Sequence, residues 1–263
     1  MTAAQRSLDR AALVIGGGSG LGAATARHLA SAGYRVSVAD RNGDAAAAVV
    51  AELGEPHEST WVDVTDEDSV AAMFAGRAHS LDLVVNCAGV NFLGLVSELP
   101  VGKFRKVVDI CLTGSFIVIK HAADAVRSGG CIVSLTSLNA RQPGIGMAAY
   151  CSAKAGLAML IEVAALELGA RSIRVNAVAP GLVETPLTAG ALEVPGVSAE
   201  YLENIPLGRA GSPDDVAEAV AYVANATWMT GETIDLNGGA HLMRYPDVHG
   251  HFARWAQKAD ATS

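Results

Sequence analysis

The chain has 263 residues, of which 51% are hydrophobic and 5% aromatic, and its formal net charge is −8. That is apolar material enough for one large core, while the acidic balance, with no Lys/Arg cluster, argues against a nucleic-acid partner. Cys87, Cys111, Cys131 and Cys151 form no CxxC pair and have no histidine at zinc spacing, the N-terminus lacks an apolar signal core, and no apolar run reaches the ~18 residues of a membrane span; a cytoplasmic protein with no metal site and no membrane partner is expected.

Short β-rich runs alternate with Ala-rich stretches along the whole chain. A strand is expected over residues 11–15, followed by the glycine loop Gly16-Gly17-Gly18-Ser19-Gly20-Leu21-Gly22 and a helix over 21–32. Glycine lets backbone approach a phosphate without a Cβ in the way, and the helix N-terminus beyond offers unpaired N–H groups. Such a loop is also an ordinary tight turn, so Gly16, Ser19, Gly20, Leu21 and Gly22 are candidate cofactor contacts on their βα context alone. The next strand, over 35–40, ends in Asp40, 18 residues after Gly22. A carboxylate there accepts hydrogen bonds from both ribose hydroxyls of an adenosine and repels a 2′-phosphate, which favours NAD. The competing reading of Asp40 is a helix N-cap. Arg41 has the charge to meet a 2′-phosphate, but pleat alternation is expected to turn it away from Asp40.

Helices are then expected over 44–53 and 67–75, and strands over 61–64 and 81–86. A long helix is read over 101–126, a strand over 131–135, a helix over 150–168 and a strand over 173–178. Tyr150 and Lys154 are four residues apart at the start of that second long helix and so share a face; Ser137 stands 13 residues earlier at a strand end. Hydride loss from an alcohol carbon requires loss of the hydroxyl proton, and a phenol near pKa ~10 is a poor base at neutral pH unless a cation favours its anion. Lys154 and a positive nicotinamide would supply that help, and Ser137 would hold the substrate oxygen. Residues 179–212 are irregular, which in a compact domain usually marks a functional loop. A helix over 213–225 and a strand over 233–236 complete the alternation. The whole is read as one α/β domain over residues 1–263, with 240–263 as a C-terminal extension.

Taken together these motifs resemble the short-chain dehydrogenase/reductase family across about residues 10–240. Gly16, Gly20 and Gly22 match its T-G-x-x-x-G-x-G with Ile15 for the Thr, and Asn86-Cys87-Ala88-Gly89 its N-N-A-G with Cys87 for the second Asn. Ser137, Tyr150 and Lys154 match its catalytic Ser, Tyr and Lys; Asn176 through Pro180-Gly181 and the later Pro206–Arg209 and Gly238-Gly239 motifs also match. The resemblance implies a single Rossmann-like doubly wound parallel sheet of about seven strands flanked by helices on both faces. It implies that Asp63 and Val64 take the adenine edge, that Asn86, Ala88, Gly89, Pro180 and Gly181 line the cofactor, that the Val183 backbone holds the carboxamide and that Thr185 holds a phosphate. One departure stands out: the family's catalytic Asn aligns with Cys111. In the family the main-chain carbonyl there binds a relay water. A weak S–H donor is not expected to replace both ends of a carboxamide, so the thiol is read as filler.

The expected function is therefore an NAD-dependent oxidoreductase that interconverts a secondary alcohol and a ketone, with Tyr150 as acid/base and a small-molecule alcohol or ketone as substrate. The alternatives are a 3-oxoacyl-thioester reductase, and a catalytically impaired nucleotide-binding scaffold or redox sensor. Residues 91–95, 141–147 and 183–205 are the expected substrate wall; Leu93, Ile145, Met147, Leu187 and Leu192 make it apolar, which suggests a lipophilic alicyclic or steroid-like alcohol unless they are simply core. A homotetramer on the helices at 101–126 and 150–168 is expected from relatives, with a dimer as the fallback. The tail after Gly239 carries Leu242, Met243, Tyr245, Phe252 and Trp255, too many large apolar groups for an exposed end. It should dock on a neighbouring subunit or roof its own substrate pocket, and its histidines are read as solvated or contact residues rather than ligands.

Overall fold

The computed structural model describes residues 10–260. Seven parallel strands form one sheet in the order β3-β2-β1-β4-β5-β6-β7. They are β1 (Arg10–Ile15), β2 (Tyr34–Asp40), β3 (Glu58–Trp61), β4 (Leu81–Asn86), β5 (Val126–Leu135), β6 (Arg174–Pro180) and β7 (Thr233–Leu236). The helices are α1 (Gly20–Ser31), α2 (Gly43–Leu53), α3 (Glu67–Phe74), α4 (Val101–Val108), α5 (Gly114–Ala125), α6 (Ala148–Gly169), α7 (Pro186–Leu192), α8 (Val197–Glu203), α9 (Pro213–Asn225) and α10 (Val248–Asp260).

Side chains alternate across a strand, so β1 feeds both faces of the sheet. Leu13 and Ile15 pack with Val118 of α5 and Leu157 and Ile161 of α6. Val14, one residue out of phase, packs with Leu29 of α1 and Val220 of α9 on the other side. That is the doubly wound arrangement expected, and the strand order reverses between β1 and β4, which opens a crevice at the carboxyl ends of the strands.

Several element boundaries differ from the sequence reading. The third strand lies three residues earlier, at Glu58–Trp61, because it is a polar edge strand: Glu58 accepts hydrogen bonds from Ser37 Oγ (2.6 Å) and Arg77 (2.8 Å), a pattern that hydrophobic periodicity misses. The long helix at 101–126 is not uniform. α4 passes through a π-helical turn, Asp109–Thr113, into α5, and the chain is already extended at Val126. The loop at 179–212 carries the short helices α7 and α8, and the tail forms α10. α6 is long and apolar enough to cross a membrane, contrary to the expectation that no run is. Its buried face packs on the sheet around Leu157 and Ile161, so the apolarity is that of a core helix.

Candidate active site

The crevice is a cleft of about 470 Å³. At its floor the glycine loop turns under close backbone contact: a Cβ on Gly22 would lie 2.1 Å from the Gly16 carbonyl oxygen, and one on Gly16, whose φ is +72°, would lie 2.9 Å from the Ala88 amide nitrogen. Only glycine fits either position, which leaves the start of α1 open to an anion. Asp40 is held by two backbone amides, Gly18 N–H to Oδ2 (2.9 Å) and Asn42 N–H to Oδ1 (2.8 Å). It is not the N-cap of α2; Asn42 is, accepting from Ala45 N–H at 3.2 Å. Arg41 does not point away. β2 has ended at Asp40, so the pleat no longer dictates its direction, and it lines the same cleft with Nε 3.4 Å from Asp63 Oδ2. Burial alone would raise the Asp63 carboxyl, but the Thr65 amide and hydroxyl and Arg41 outweigh it and leave the pKa lowered.

Ser19, Gly20, Leu21, Val64, Ala88, Gly89, Pro180, Gly181, Val183 and Thr185 all line this cleft, as do Ser137, Tyr150 and Lys154. Asn86 does not. Its buried amide donates to Ser115 Oγ (3.0 Å) and accepts from Ala88 N–H (3.1 Å), so it shapes the turn after β4 rather than facing the cleft. Sequence reading missed Thr188, Lys106, Ile110 and Thr136. Thr188 was findable, because it stands three residues after Thr185 in capping spacing and its hydroxyl accepts from Thr185 N–H at 3.0 Å. Leu135 had no side-chain signal, since it contributes a carbonyl.

That carbonyl receives Lys154 Nζ at 2.7 Å, and Nζ lies 5.6 Å from the centre of the Tyr150 ring. Ser137 is buried at a strand end, accepts from Asn139 N–H (3.2 Å) and hydrogen-bonds the Tyr150 phenol. Burial pushes Tyr150 well above the ordinary phenol value; Cys111 adds to this and Ser137 offsets part of it. Lys154 is pushed down by burial, against Cys111 and Cys87, which favour its charged form. Among the protein groups alone desolvation is the largest influence and leaves the phenol raised; the expected lowering combined Lys154 with the charge of a bound nicotinamide.

Cys111 is fully buried at the middle of the π-helical turn. Its thiol is not filler: Sγ accepts from Val90 N–H and donates to Val90 O, both at 3.4 Å. The N–H and C=O of one residue, Val90, converge on a single sulfur, so the thiol ties the chain after β4 to the π-helical turn. The Cys111 carbonyl accepts from Ser115 Oγ at 2.9 Å. Cys87 also lines the cleft, with its thiol pushed up to about 12 by burial.

A second, smaller cavity of about 130 Å³ opens beside Ser137 and Tyr150. Leu93, Met147 and Leu187 line it as expected; Ile145 and Leu192 do not, and Ile145 is exposed. The tail of this same chain roofs the cavity with Arg244, Tyr245, Pro246 and Val248. Glycines make room for it: a Cβ on Gly144 would meet Tyr245 at 2.6 Å, and one on Gly196 would meet His251 at 2.6 Å. Glu200 of α8 anchors it, bonded to Arg244 (2.6 Å), His251 (2.7 Å) and Asp247 N–H (3.2 Å).

Comparison with known proteins gives a consistent picture. Residues 16–241 match the family model described as enoyl-(acyl carrier protein) reductase. The chain is 40% identical over 244 residues to the cis-4-hydroxycyclohexanecarboxylate dehydrogenase of Sinomonas cyclohexanicum, covering 88% of this chain and 96% of that one. Among solved structures, a short-chain type dehydrogenase/reductase from Mycobacterium ulcerans superposes with a TM-score of 0.89 at 35% identity, covering 94% of this chain and 95% of that one. A protein described as a 2-deoxy-D-gluconate 3-dehydrogenase from Agrobacterium tumefaciens, solved with NADP bound, superposes with a TM-score of 0.82 at 32% identity, covering 89% and 96%.

Proposed function

Because the chain belongs to the short-chain dehydrogenase/reductase family, we propose that it is an NAD-dependent oxidoreductase interconverting a secondary alcohol and a ketone on a compact alicyclic substrate. The observation that carries this reading is the meeting of Ser137, Tyr150 and Lys154 where the glycine-floored cleft joins the roofed cavity. The glycine cradle, the start of α1 and the orientated Asp40 suit a dinucleotide laid along the cleft. Bound there, the nicotinamide would take up the hydride from the substrate carbon in alcohol oxidation and return it in ketone reduction.

The protein's own part is proton handling. Ser137 donates to the substrate oxygen, and Tyr150 takes the hydroxyl proton in oxidation or gives it in reduction. Lys154, held by the Leu135 carbonyl, keeps a positive charge beside the phenol. NAD is favoured by Asp40, although Arg41 shares the cleft and a neighbour in the family holds NADP. The family model's acyl-carrier description favours a second reading, a 3-oxoacyl-thioester reductase; the small roofed cavity weighs against it. A redox-sensor role is weakened by the buried, high-pKa thiols.

The proposed form is a cytoplasmic homotetramer built on α5 and α6. Support comes from Phe116, Met159, Val163 and Leu166, which are large, apolar and exposed on those helices. The decisive experiment is a screen of cyclic, steroid, acyclic and acyl-thioester alcohols and ketones with NAD(H) and NADP(H). Turnover of cyclic alcohols with NAD is expected. Efficient turnover of acyl thioesters alone would replace this reading with the second one.

A further inference from the structure

The roofed cavity holds two features that the proton chemistry does not use. The first is its size. At about 130 Å³ it is slightly smaller than the ~150 Å³ engineered protein cavity that takes up benzene. A single six-membered ring matches such a space in size.

The second is a pair of orphaned acceptors. Gln142 Nε2 donates to the Met243 carbonyl of the tail at 2.7 Å, which fixes the amide and leaves Oε1 as an acceptor. That oxygen is buried and has no hydrogen-bond partner among the described residues, and the same is true of Asn91 Oδ1. Both residues line the cavity together with Ser137 and Tyr150. A buried acceptor without a donor is destabilising until a donor arrives, so a ligand that brings an O–H gains by donating to either one. A carboxylate brings only more acceptors. Arg244, the cation at the rim, has its charge paired with Glu200 at 2.6 Å.

We propose that the cavity is built for a single alicyclic ring carrying, besides the reacting alcohol or ketone carbon, a second hydroxyl group, and that Gln142 and Asn91 are the specificity-determining residues that receive it. The proposal rests on the oxidoreductase reading of the site and deepens it. The second hydroxyl is not oxidised. Its one proton goes to one of the two amide oxygens while the reacting oxygen sits at Ser137 and Tyr150, so it fixes which ring carbon is presented.

The test compares four rings on the full chain with NAD: cyclohexanol, 1,4-cyclohexanediol, 4-methoxycyclohexanol and 4-hydroxycyclohexanecarboxylate. The diol should exceed cyclohexanol and the methoxy ether in kcat/KM by at least about tenfold, because a site shaped to pair a hydroxyl discriminates against analogues that lack it. In at least one of Gln142→Met and Asn91→Leu, the one that removes the acceptor in use, the diol-to-cyclohexanol ratio should fall toward one, chiefly through KM for the diol. Two variants are used because Gln142 also clamps the tail; an equal fall for all substrates in both would mark a merely structural role and overturn the assignment. A methoxy ether as good as the diol, or a carboxylate better than it, would overturn the donor argument, as would ordered water satisfying both oxygens with no discrimination among the rings. Turnover of acyclic alcohols but of none of these rings would sink the proposal and leave the oxidoreductase reading standing. No turnover of any alcohol removes both.

Discussion

At the scale of the residue, the two amides that grip Asp40 orient its carboxylate before any ligand arrives, so a dinucleotide meets a pre-aimed acceptor. A 2′-phosphate would meet the same charge as repulsion. NAD should therefore exceed NADP in kcat/KM by at least about tenfold, and Asp40→Ser should narrow the ratio because Arg41 is already in the cleft. Equal efficiency of the wild-type chain with both cofactors would refute this role. For Tyr150, removal of the hydroxyl in Tyr150→Phe should lower kcat by at least about 10² while cofactor binding persists.

The raised Tyr150 pKa gives a signed pH dependence. Among the protein groups alone burial keeps the phenol protonated at neutral pH, ready as the acid for ketone reduction; as the base for alcohol oxidation it needs the charge of a bound nicotinamide or a higher pH. Oxidation rates should climb with pH through the alkaline range, while reduction stays level and falls only when the phenol ionises. Initial rates in both directions across pH check this; an oxidation rate level across that range would contradict it. Cys111 adds a third case. Cys111→Ala breaks both contacts to Val90 and leaves a small cavity, costing about 1–2 kcal/mol. Since the thiol touches backbone rather than the reacting atoms, kcat should stay within about tenfold, and Cys111→Ser should recover much of the lost stability. Thermal unfolding and kcat of the two variants separate these effects; a loss of kcat near 10³ in a folded Cys111→Ala would mean that the thiol is in the proton path.

Among the elements, the tail has a definite job. It lies over the cavity beside Ser137 and Tyr150 of its own chain, and Glu200 holds it through three bonds. A chain ending at Met243 loses the Tyr245 wall and the Glu200 contacts while leaving α5 and α6 intact. KM should rise by about tenfold or more, with no change in the mass of the assembly by light scattering. A changed mass with unchanged kinetics would reverse that assignment. Little of this could be read in advance: the tail's apolar residues announced a docking surface, but the glycines that receive it, Gly144 and Gly196, stand 101 and 55 residues before the Tyr245 and His251 that they meet. The π-helical turn at Cys111 was equally silent, because it changes hydrogen-bond phase and not hydrophobic period.

For the whole molecule, α6 is apolar on more than one face, and its outward residues Met159 and Leu166 are 57% and 83% exposed. If α5 and α6 form the proposed tetramer core, Met159→Arg with Leu166→Arg should dissociate it to smaller species on size exclusion, without unfolding the sheet. An unchanged oligomer would place the interface elsewhere.

What the sequence by itself determined is the alternation of elements, the single parallel sheet and the glycine loop, Asp40, Tyr150 and Lys154 of the cleft, which follow from local signals, while most of the other cleft residues it named came through the family resemblance. Strand and helix periods, a glycine where backbone must approach backbone, an acid at a strand end, and a Tyr and Lys four apart on a helix are all short-range patterns. The tertiary structure alone decided the rest. It turned Asn86 inward to Ser115, brought Arg41 into the cleft, closed the N–H and C=O of Val90 onto one sulfur, and set the size and polarity of the substrate cavity. Those outcomes depend on segments far apart in the chain meeting across the sheet and under the tail. No local period encodes such a meeting; it is settled only when the packed elements divide the remaining space.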